Sequence, residues 1–460
     1  MRRSQSFAVA AMSLFFLGGC ALTAQTSVTG STENFAPIVF VHGNGDTAAL
    51  WHTTIWRFES NGWPRNRLHA IDVPYPNSRD SDAKAQAGRS STTEHAQFLA
   101  DEVAAVRKAT GAAKVILIGN SRGGYAIRNY VQNMGGDAFV SHAILGGVPN
   151  HGVWANDKRP NSEGSEFFGN GAFLKQLNAS KNAAGDEVIG PVKWLTLRSD
   201  NNDKFAQPDG AWLGIKGTPT GVAFDAPALK GATNLVLSTR DHREVSFHPD
   251  AFAATWQFIV GDAPRTLAIP PEKIVVLNGK ISALGMAGVG DFVTNVPLVS
   301  ATLEVFSVDA DGQRMGAAVH RKTTTEDGRW GPFKGNPDAL YEFVITAPGY
   351  ATTHIYRAPF PRSSNVINMR PARVANADRN AVAVVTLTRP RGYFGVGRDV
   401  MSLDGKPLAG IVPGVAGGST AKVSLAADAG RSVVAEFNGE RIVARAWPVA
   451  DNHVTLIELH

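Results

Sequence analysis

The sequence predicts an α/β protein, in which a compact, mostly parallel sheet flanked by helices is followed by β-sandwich domains. Three observations predict this fold. Between residues 35 and 262, short apolar, β-branched runs alternate with helical patterns, as in parallel sheets with right-handed crossovers. One of these runs, residues 114–118, ends in Gly-Asn-Ser-Arg-Gly, and a helical pattern follows at once. From about residue 272 the periodicity becomes that of strands.

The first 20 residues have the features of an export signal. A basic start, Met1-Arg2-Arg3, precedes an apolar run over residues 7–17 that is too short to span a bilayer as a permanent helix. The run leads into Leu-Gly-Gly-Cys, and Cys20 is the only cysteine. This ending resembles the bacterial lipobox, which implies a lipid on Cys20 and a membrane-tethered protein of the cell envelope, periplasmic or at the outer surface. An ordinary signal peptide and secretion is the alternative.

Composition excludes several classes of protein. With one cysteine the chain can form no internal disulfide and can perform no cysteine chemistry elsewhere. The formal charge of +5 is spread without a basic run, so we expect no nucleic-acid partner. The 460 residues, 43% of them hydrophobic, suit two or three globular domains. Nothing in the chain predicts an oligomeric state.

The first domain is predicted over residues 35–262. Its strands are predicted at residues 37–41, 67–73, 114–118, 139–145, 192–197 and 234–238. A helix is predicted over residues 91–110, because Ser91 and Glu94 have the spacing of a capping box and Gly111 can end it. Two more helices are predicted, one after the Gly-Asn-Ser-Arg-Gly turn and one that carries Phe252 and Trp256.

Ser121 stands in the sharp turn between the third strand and its helix. The flanking glycines fit a turn so tight that side chains there would clash with the neighbouring backbone. Such an elbow lifts a hydroxyl off the sheet edge and points the N–H groups of a helix N-terminus at the same place. The pattern therefore predicts a nucleophilic serine; a glycine-rich loop with no chemistry is the alternative.

In this order of elements the domain resembles the α/β-hydrolase family, in a compact form without the first antiparallel strands. The resemblance covers about half of the chain. His42-Gly43-Asn44-Gly45 matches the family's oxyanion loop, which implies that the backbone N–H groups of Asn44 and Arg122 stabilise an oxyanion. We expect His42 itself to be structural.

The family's chain order of serine, acid and histidine implies the other two catalytic residues. His242 follows the last strand in Asp-His, whereas His248 stands beside Pro249 at a helix start and is predicted to be a cap. The acid should follow the strand over residues 192–197, where Asp203 is favoured and Asp200 is the alternative. These acidic residues lack a defined ligand spacing, so we expect no metal, and no cofactor is predicted.

Residues 150–190 form a long insertion. Its polar, glycine-rich part and its apolar residues, among them Phe167, Phe173 and Leu174, suggest a lid over an acyl pocket, with a simple connecting helix as the alternative. Trp212 and Phe224 are candidates to line the same pocket.

The C-terminal half is predicted to hold two β units after a linker near residues 261–271. The first, residues 272–372, resembles transthyretin-like or carboxypeptidase-regulatory modules; the second covers residues 378–460. The whole arrangement resembles an archaeal type of long-chain lipase, whose β region is tied to substrate handling. We expect the catalytic machinery to be complete by about residue 262. We expect the β region to dock lipid or polymer substrate, and a structural tail is the alternative.

Together these features predict a serine carboxylester hydrolase, a lipase or esterase that acts through an acyl-enzyme. Acylglycerols or other fatty esters are the expected substrates. An extracellular polyester depolymerase is the alternative enzyme, and a non-catalytic surface binding protein on a hydrolase scaffold is the alternative of another class.

Overall fold

A computed structural model describes residues 35–153, 163–200, 202–205, 222, 224–286, 290–411 and 417–460. The predicted export segment with Cys20 lies outside this part of the chain, as does Trp212. The residues from Phe35 to His460 form one compact unit.

A parallel sheet occupies the first half of the described chain. Its strands are β1 (Ile38–Val41), β2 (Leu68–Ile71), β3 (Val115–Asn120), β4 (Val140–Gly146), β5 (Lys193–Ser199) and β6 (Thr233–Leu237). They pair in the order β2-β1-β3-β4-β5-β6, and every pair is parallel. All four residues of β1, Ile38 to Val41, are fully buried, as expected for a strand covered on both faces.

Helices cover both faces of this sheet. They are α1 (His52–Ser60), α2 (Thr92–Thr110), α3 (Arg122–Asn133), α4 (Ala172–Leu177), α5 (Glu244–Phe247) and α6 (Pro249–Val260). The predicted capping box is confirmed: Ser91 and Glu94 exchange side-chain and backbone bonds at the start of α2, and Gly111 ends it with φ 69°. Leu99 and Val103 of α2 pack on one face of the sheet, and Phe252 and Trp256 of α6 pack on the other.

The order of strands places the candidate site residues at one edge of the sheet. The oxyanion loop follows β1, Ser121 follows β3, Asp203 follows β5 and His242 follows β6. Because the carboxyl ends of parallel strands meet at one edge, these residues are brought together although they are distant in sequence.

The second half of the described chain is built from strands. These are β7 (Val275–Leu277), β8 (Ser282–Met286), β9 (Gly290–Pro297), β10 (Thr302–Val308), β11 (His320–Thr323), β12 (Phe333–Gly335), β13 (Leu340–Thr346), β14 (Thr352–Arg357), β15 (Ala383–Thr388), β16 (Met401–Leu403), β17 (Thr420–Leu425), β18 (Ser432–Phe437), β19 (Glu440–Arg445) and β20 (His453–Glu458). The largest sheet has the order β11-β10-β13-β14-β20-β15-β17, and β16-β18-β19 form a smaller one.

The largest of these sheets joins the two predicted β units. The strand β20 lies between β14 and β15 and pairs in parallel with both. The predicted boundary between residues 272–372 and 378–460 therefore runs through a single sheet, and the two predicted units share that sheet. Local periodicity could not reveal this arrangement, because the pairing joins residues about a hundred positions apart.

The β half packs directly on the half that contains the parallel sheet. Trp56 of α1 is 2% exposed, lies in a hydrophobic cluster made otherwise of β-region residues, and donates from Nε1 to the carbonyl of Ser363 at 2.8 Å. The predicted linker is also held in place, since Arg265 donates to the Ser60 carbonyl at 2.7 Å. Among the helices described, none is long and apolar enough to span a membrane.

Candidate active site

The turn after β3 is strained. Ser121 has φ 51° and ψ −123°, a conformation that costs a non-glycine residue roughly 1–3 kcal/mol and is found at functional sites. Gly123 is required by close approach, because a Cβ there would lie 2.5 Å from the carbonyl oxygen of Val41. The helix α3 begins at Arg122, so the N–H of that residue has no acceptor within the helix. The predicted elbow geometry is thus present.

The loop after β1 lies against the elbow. A Cβ on Gly43 would be 3.0 Å from the Cβ of Ser121. His42 holds the loop: its Nε2 accepts from the N–H of Val73 at 3.1 Å, which leaves Nδ1 to donate to the Gly43 carbonyl at 2.9 Å. His42 is fully buried, and burial lowers its pKa. Its position is the structural one expected from the sequence.

Asn44 is oriented within this loop by its side chain. Its Oδ1 accepts from the N–H of Ser78 at 2.7 Å. Its own backbone N–H makes no hydrogen bond to the part of the chain that the structure describes. The N–H groups of Asn44 and Arg122 are thus two backbone donors, in the loop and in the elbow, that have no acceptor among the described residues.

The histidine and the acid are brought together. His242 Nδ1 lies 2.7 Å from Asp203 Oδ2, and both residues are 4% exposed. The other oxygen of Asp203 accepts from the N–H of Phe205 at 2.8 Å, and the Phe205 ring meets the His242 ring edge-on at 4.5 Å between centroids. The carboxylate thus binds the Nδ1 atom of the histidine and fixes the orientation of its ring.

Asp200, the alternative acid, does not bond to His242. Its Oδ1 accepts from the N–H of Asn202 at 3.0 Å, and its Oδ2 accepts from the N–H of Thr239 at 2.8 Å. Burial opposes ionisation, but these hydrogen bonds outweigh it and hold the pKa of Asp200 below its ordinary value. Asp200 therefore fixes the turn that presents Asp203 and joins it to the loop after β6.

Two family models match the chain. The model of class 2 lipases matches residues 35–190, and that of the lipase C-terminal domain matches residues 273–374. By these matches the chain contains a class 2 lipase domain and a lipase C-terminal domain. The matches support a carboxylester hydrolase. No curated protein sequence matches the chain.

Solved structures similar to this chain include lipases from a fungus and from a bacterium. Aspergillus fumigatus lipase B is 14% identical, with a TM-score of 0.36 over 50% of this chain and 54% of that chain. The mature form of Bacillus licheniformis lipase BlEst2 is 20% identical, with a TM-score of 0.33 over 49% of this chain and 89% of that one. The propeptide form of BlEst2 is 15% identical, with a TM-score of 0.34 over 89% of this chain and 92% of that one.

Asn120, a residue to which no sequence pattern assigns a role, connects the elbow to the histidine loop. Its Nδ2 lies 2.8 Å from Ser246 Oγ and 3.1 Å from the carbonyl oxygens of Gly146 and His242. Asn120 is 1% exposed and directly precedes Ser121. No local pattern points to this role, because an asparagine beside a glycine-bounded serine is also a common turn residue.

A buried ion pair lies behind the elbow. Arg122 is completely buried, and its guanidinium bonds to both carboxylate oxygens of Glu166, at 2.7 and 2.8 Å. The remaining N–H groups of Arg122 reach the carbonyl of Pro76 and the side chain and carbonyl of Ser90. Glu166 comes from the insertion 150–190, which the sequence predicts as a lid. The described part of that insertion is therefore anchored to the residue that follows Ser121.

The apolar residues of the insertion face the core of the lipase domain. The rings of Phe167 and Phe173 contact Tyr125 of α3, and Leu174 is fully buried. Phe224, a candidate pocket residue, is 46% exposed. That the insertion opens as a lid stays a prediction. Within the described residues no group of three or more His, Cys, Asp or Glu could hold a metal ion.

Proposed function

We propose that the chain hydrolyses carboxylic esters through an acyl-enzyme on Ser121. The observation that carries the proposal is the 2.7 Å contact between His242 Nδ1 and Asp203 Oδ2, in a buried loop that Asn120 joins to the strained serine turn. A serine hydroxyl needs a base at neutral pH, and an imidazole oriented by a carboxylate is such a base.

The catalytic cycle follows from this arrangement. His242 takes the hydroxyl proton through Nε2 as Ser121 Oγ attacks the ester carbonyl carbon. The tetrahedral intermediate collapses when His242 returns the proton to the leaving alcohol, and the acyl group stays on Ser121. Water then attacks the acyl-enzyme with His242 again as the base, and the carboxylic acid leaves. Asp203 holds the imidazole in the productive tautomer and stabilises the imidazolium that forms.

The oxyanion of each tetrahedral intermediate has two proposed donors, the backbone N–H groups of Asn44 and Arg122. Both flank Ser121, and neither is used by the described fold. Such fixed donors stabilise developing charge without reorganisation, and removal of one typically costs about 2.7–4 kcal/mol.

For the substrate we propose acylglycerols or other fatty esters, which the two lipase family matches support. A series of p-nitrophenyl esters of increasing chain length measures the preference. Ser121→Ala is the decisive variant, because it should fold normally and lose hydrolysis by several orders of magnitude. Activity of Ser121→Ala within tenfold of the wild type would exclude the proposed mechanism.

We further propose that the protein is exported and that Cys20 carries a lipid that tethers it to a membrane of the cell envelope. The basic start, the short apolar run and the Leu-Gly-Gly-Cys ending support this. Metabolic labelling with a fatty-acid probe should mark the wild type but not Cys20→Ser. Equal labelling of the two proteins would contradict the proposal.

A further inference from the structure

His242 lies inside a capping box formed by the two acidic residues around it. The Oδ1 atom of Asp241 accepts from the N–H groups of Arg243 at 2.8 Å and Glu244 at 2.9 Å. In return, Glu244 Oε2 accepts from the N–H of Asp241 at 2.8 Å. The spacing Asp-x-x-Glu is that of a capping box, so the sequence contains the signal. These bonds fix the backbone on both sides of His242.

Both carboxylates of this box are buried and depend on the C-terminal region for their counter-charge. Arg389 bonds to Asp241 Oδ2 through Nη1 at 2.9 Å and to Glu244 Oε1 through Nη2 at 2.5 Å. A second arginine, Arg398, lies 3.3 Å from Glu244 Oε2 and 3.5 Å from Asp241 Oδ2. Burial and the neighbouring Glu244 raise the pKa of Asp241, whereas the positive charges of the two arginines act to lower it.

Further contacts join the same loops to the C-terminal region. The N–H of Tyr393 donates to Asp241 Oδ2 at 2.7 Å, and Arg243 donates to the carbonyl of Pro390 at 2.9 Å. The ammonium of Lys204, next to Asp203 in sequence, lies 4.4 Å from the centre of the Tyr393 ring. The segment 389–398 thus contacts the neighbours of both the proposed base and the proposed acid.

We propose that Arg389 is a positioning residue for the base His242, so that the C-terminal region completes the hydrolase site. This inference rests on the proposed function, because it takes His242 to be the base. Arg389 forms no hydrogen bond or ion pair with Asp203 or His242. It acts through Asp241 and Glu244, whose bonds set the backbone of the loop. Without it Arg398, at 3.3 and 3.5 Å, would be the remaining C-terminal arginine beside two buried carboxylates, and the loop would move.

The expectation that the catalytic machinery is complete by about residue 262 stays a prediction, since the proposed catalytic residues all precede that position. The loops that carry them nevertheless contact the C-terminal region. The C-terminal region also supports the oxyanion loop, where Asn295 Nδ2 donates to the carbonyls of Asp46 and Val73, both at 2.9 Å. Two of the loops that form the site are thus held by residues far downstream in the sequence. Asn295 lies 249 positions after Asp46, and Arg389 lies 148 positions after Asp241.

The test compares Arg389→Met with Arg357→Met in the full-length protein. The two arginine side chains are equally buried, at 6% exposure, but Arg357 pairs with Glu458 within the C-terminal region. A fluorophosphonate titrant, incubated to completion, counts competent sites. Hydrolysis of p-nitrophenyl butyrate then gives kcat per competent site and KM.

Arg389→Met should lower kcat per competent site by about 10-fold to 100-fold and change KM by less than about twofold, because Arg389 orients the base without touching substrate. Arg357→Met should lose thermal stability and keep its kcat per site. If Arg389→Met yields too little folded protein, Arg389→Lys is measured in the same way, since lysine keeps the charge but not the fork that bonds both carboxylates. A kcat per site within twofold of the wild type in the variant measured would overturn the inference.

A double-variant cycle separates positioning from general destabilisation. Glu244→Gln retains an acceptor for the N–H of Asp241 and removes one of the two buried charges. In the Glu244→Gln background, loss of Arg389 should therefore reduce kcat per site by a smaller factor than in the wild type. Equal factors in both backgrounds would contradict action through Glu244. If Ser121→Ala is inactive while the Arg389 variants keep the wild-type kcat per competent site, only the inference about Arg389 is wrong. If Ser121→Ala is active, the proposed function itself is wrong.

Discussion

Glu166→Gln tests whether the buried ion pair behind the serine turn is essential to the fold. The five N–H groups of the Arg122 guanidinium all have acceptors, two of which are the carboxylate oxygens of Glu166. Glutamine has nearly the same shape but carries no charge and offers one acceptor oxygen. Its amide N–H groups would face an N–H of Arg122.

The size of the effect follows from burial. Arg122 is 0% and Glu166 2% exposed, so water cannot replace the lost acceptor. Removal of one partner from a buried pair typically costs about 3–5 kcal/mol, because the other charge is left uncompensated. Since one acceptor survives in glutamine, we expect about 3 kcal/mol, a large part of a total stability of about 5–15 kcal/mol.

Asp404→Asn is the matched control. Arg431 and Asp404 also form a pair with two hydrogen bonds, at 2.7 and 2.6 Å, but these side chains are 35% and 21% exposed. Asp404 has φ 56°, a conformation that asparagine tolerates. Exposed pairs are worth about 0.2–1 kcal/mol, so this variant should lose less than about 1 kcal/mol.

Urea unfolding followed by tryptophan fluorescence measures both losses, and hydrolysis of a short ester is recorded in parallel. Glu166→Gln should also lower kcat, because the backbone N–H of Arg122 is a proposed oxyanion donor. If the two variants lose the same free energy of unfolding, the ion pair is not the anchor inferred from its burial.

Three further outcomes are expected. Asp203→Asn should reduce kcat by about three to four orders of magnitude, whereas Asp200→Asn should stay within about tenfold of the wild type; the reverse ranking in steady-state assays would assign the acid role to Asp200. Burial lowers the pKa of His248, the N-cap of α6, to about 4, so the wild type should lose stability as pH falls from about 6.5 to about 4. In thermal melts across that range, the melting temperature of His248→Asn should change less with pH than that of the wild type. A fragment ending at residue 265 exposes Trp56 and should show no cooperative melt and no hydrolysis of short esters; a stable, active fragment would refute the packing argument.

Structural elements that are determined by residues close together in the sequence could be predicted from it. The apolar runs of the parallel sheet, the capping box of α2 and the cap at His248 each follow from a few adjacent positions. The choice of Asp203 over Asp200 depended on loop position, and the structure places Asp203, not Asp200, on the His242 ring.

The parts that depend on distant pairing could not be predicted. No sequence pattern predicts that Glu166 pairs with Arg122, 44 residues away, or that Arg389 pairs with Asp241. A charged residue in a polar segment usually faces solvent, so the sequence favours an exposed position for both. The single sheet across the two predicted β units, with β20 between β14 and β15, was missed for the same reason.

Covalent labelling of Ser121 tests the central claim most directly. A fluorophosphonate reacts only with a serine whose hydroxyl is activated by a base, so a mass shift identifies the nucleophile. After tryptic digestion of the labelled protein, we expect the shift on the peptide containing Ser121, in proportion to lost esterase activity and absent from His242→Ala. Complete loss of activity with the label on a peptide that lacks Ser121, or full esterase activity in a protein that takes up no label, would contradict the account.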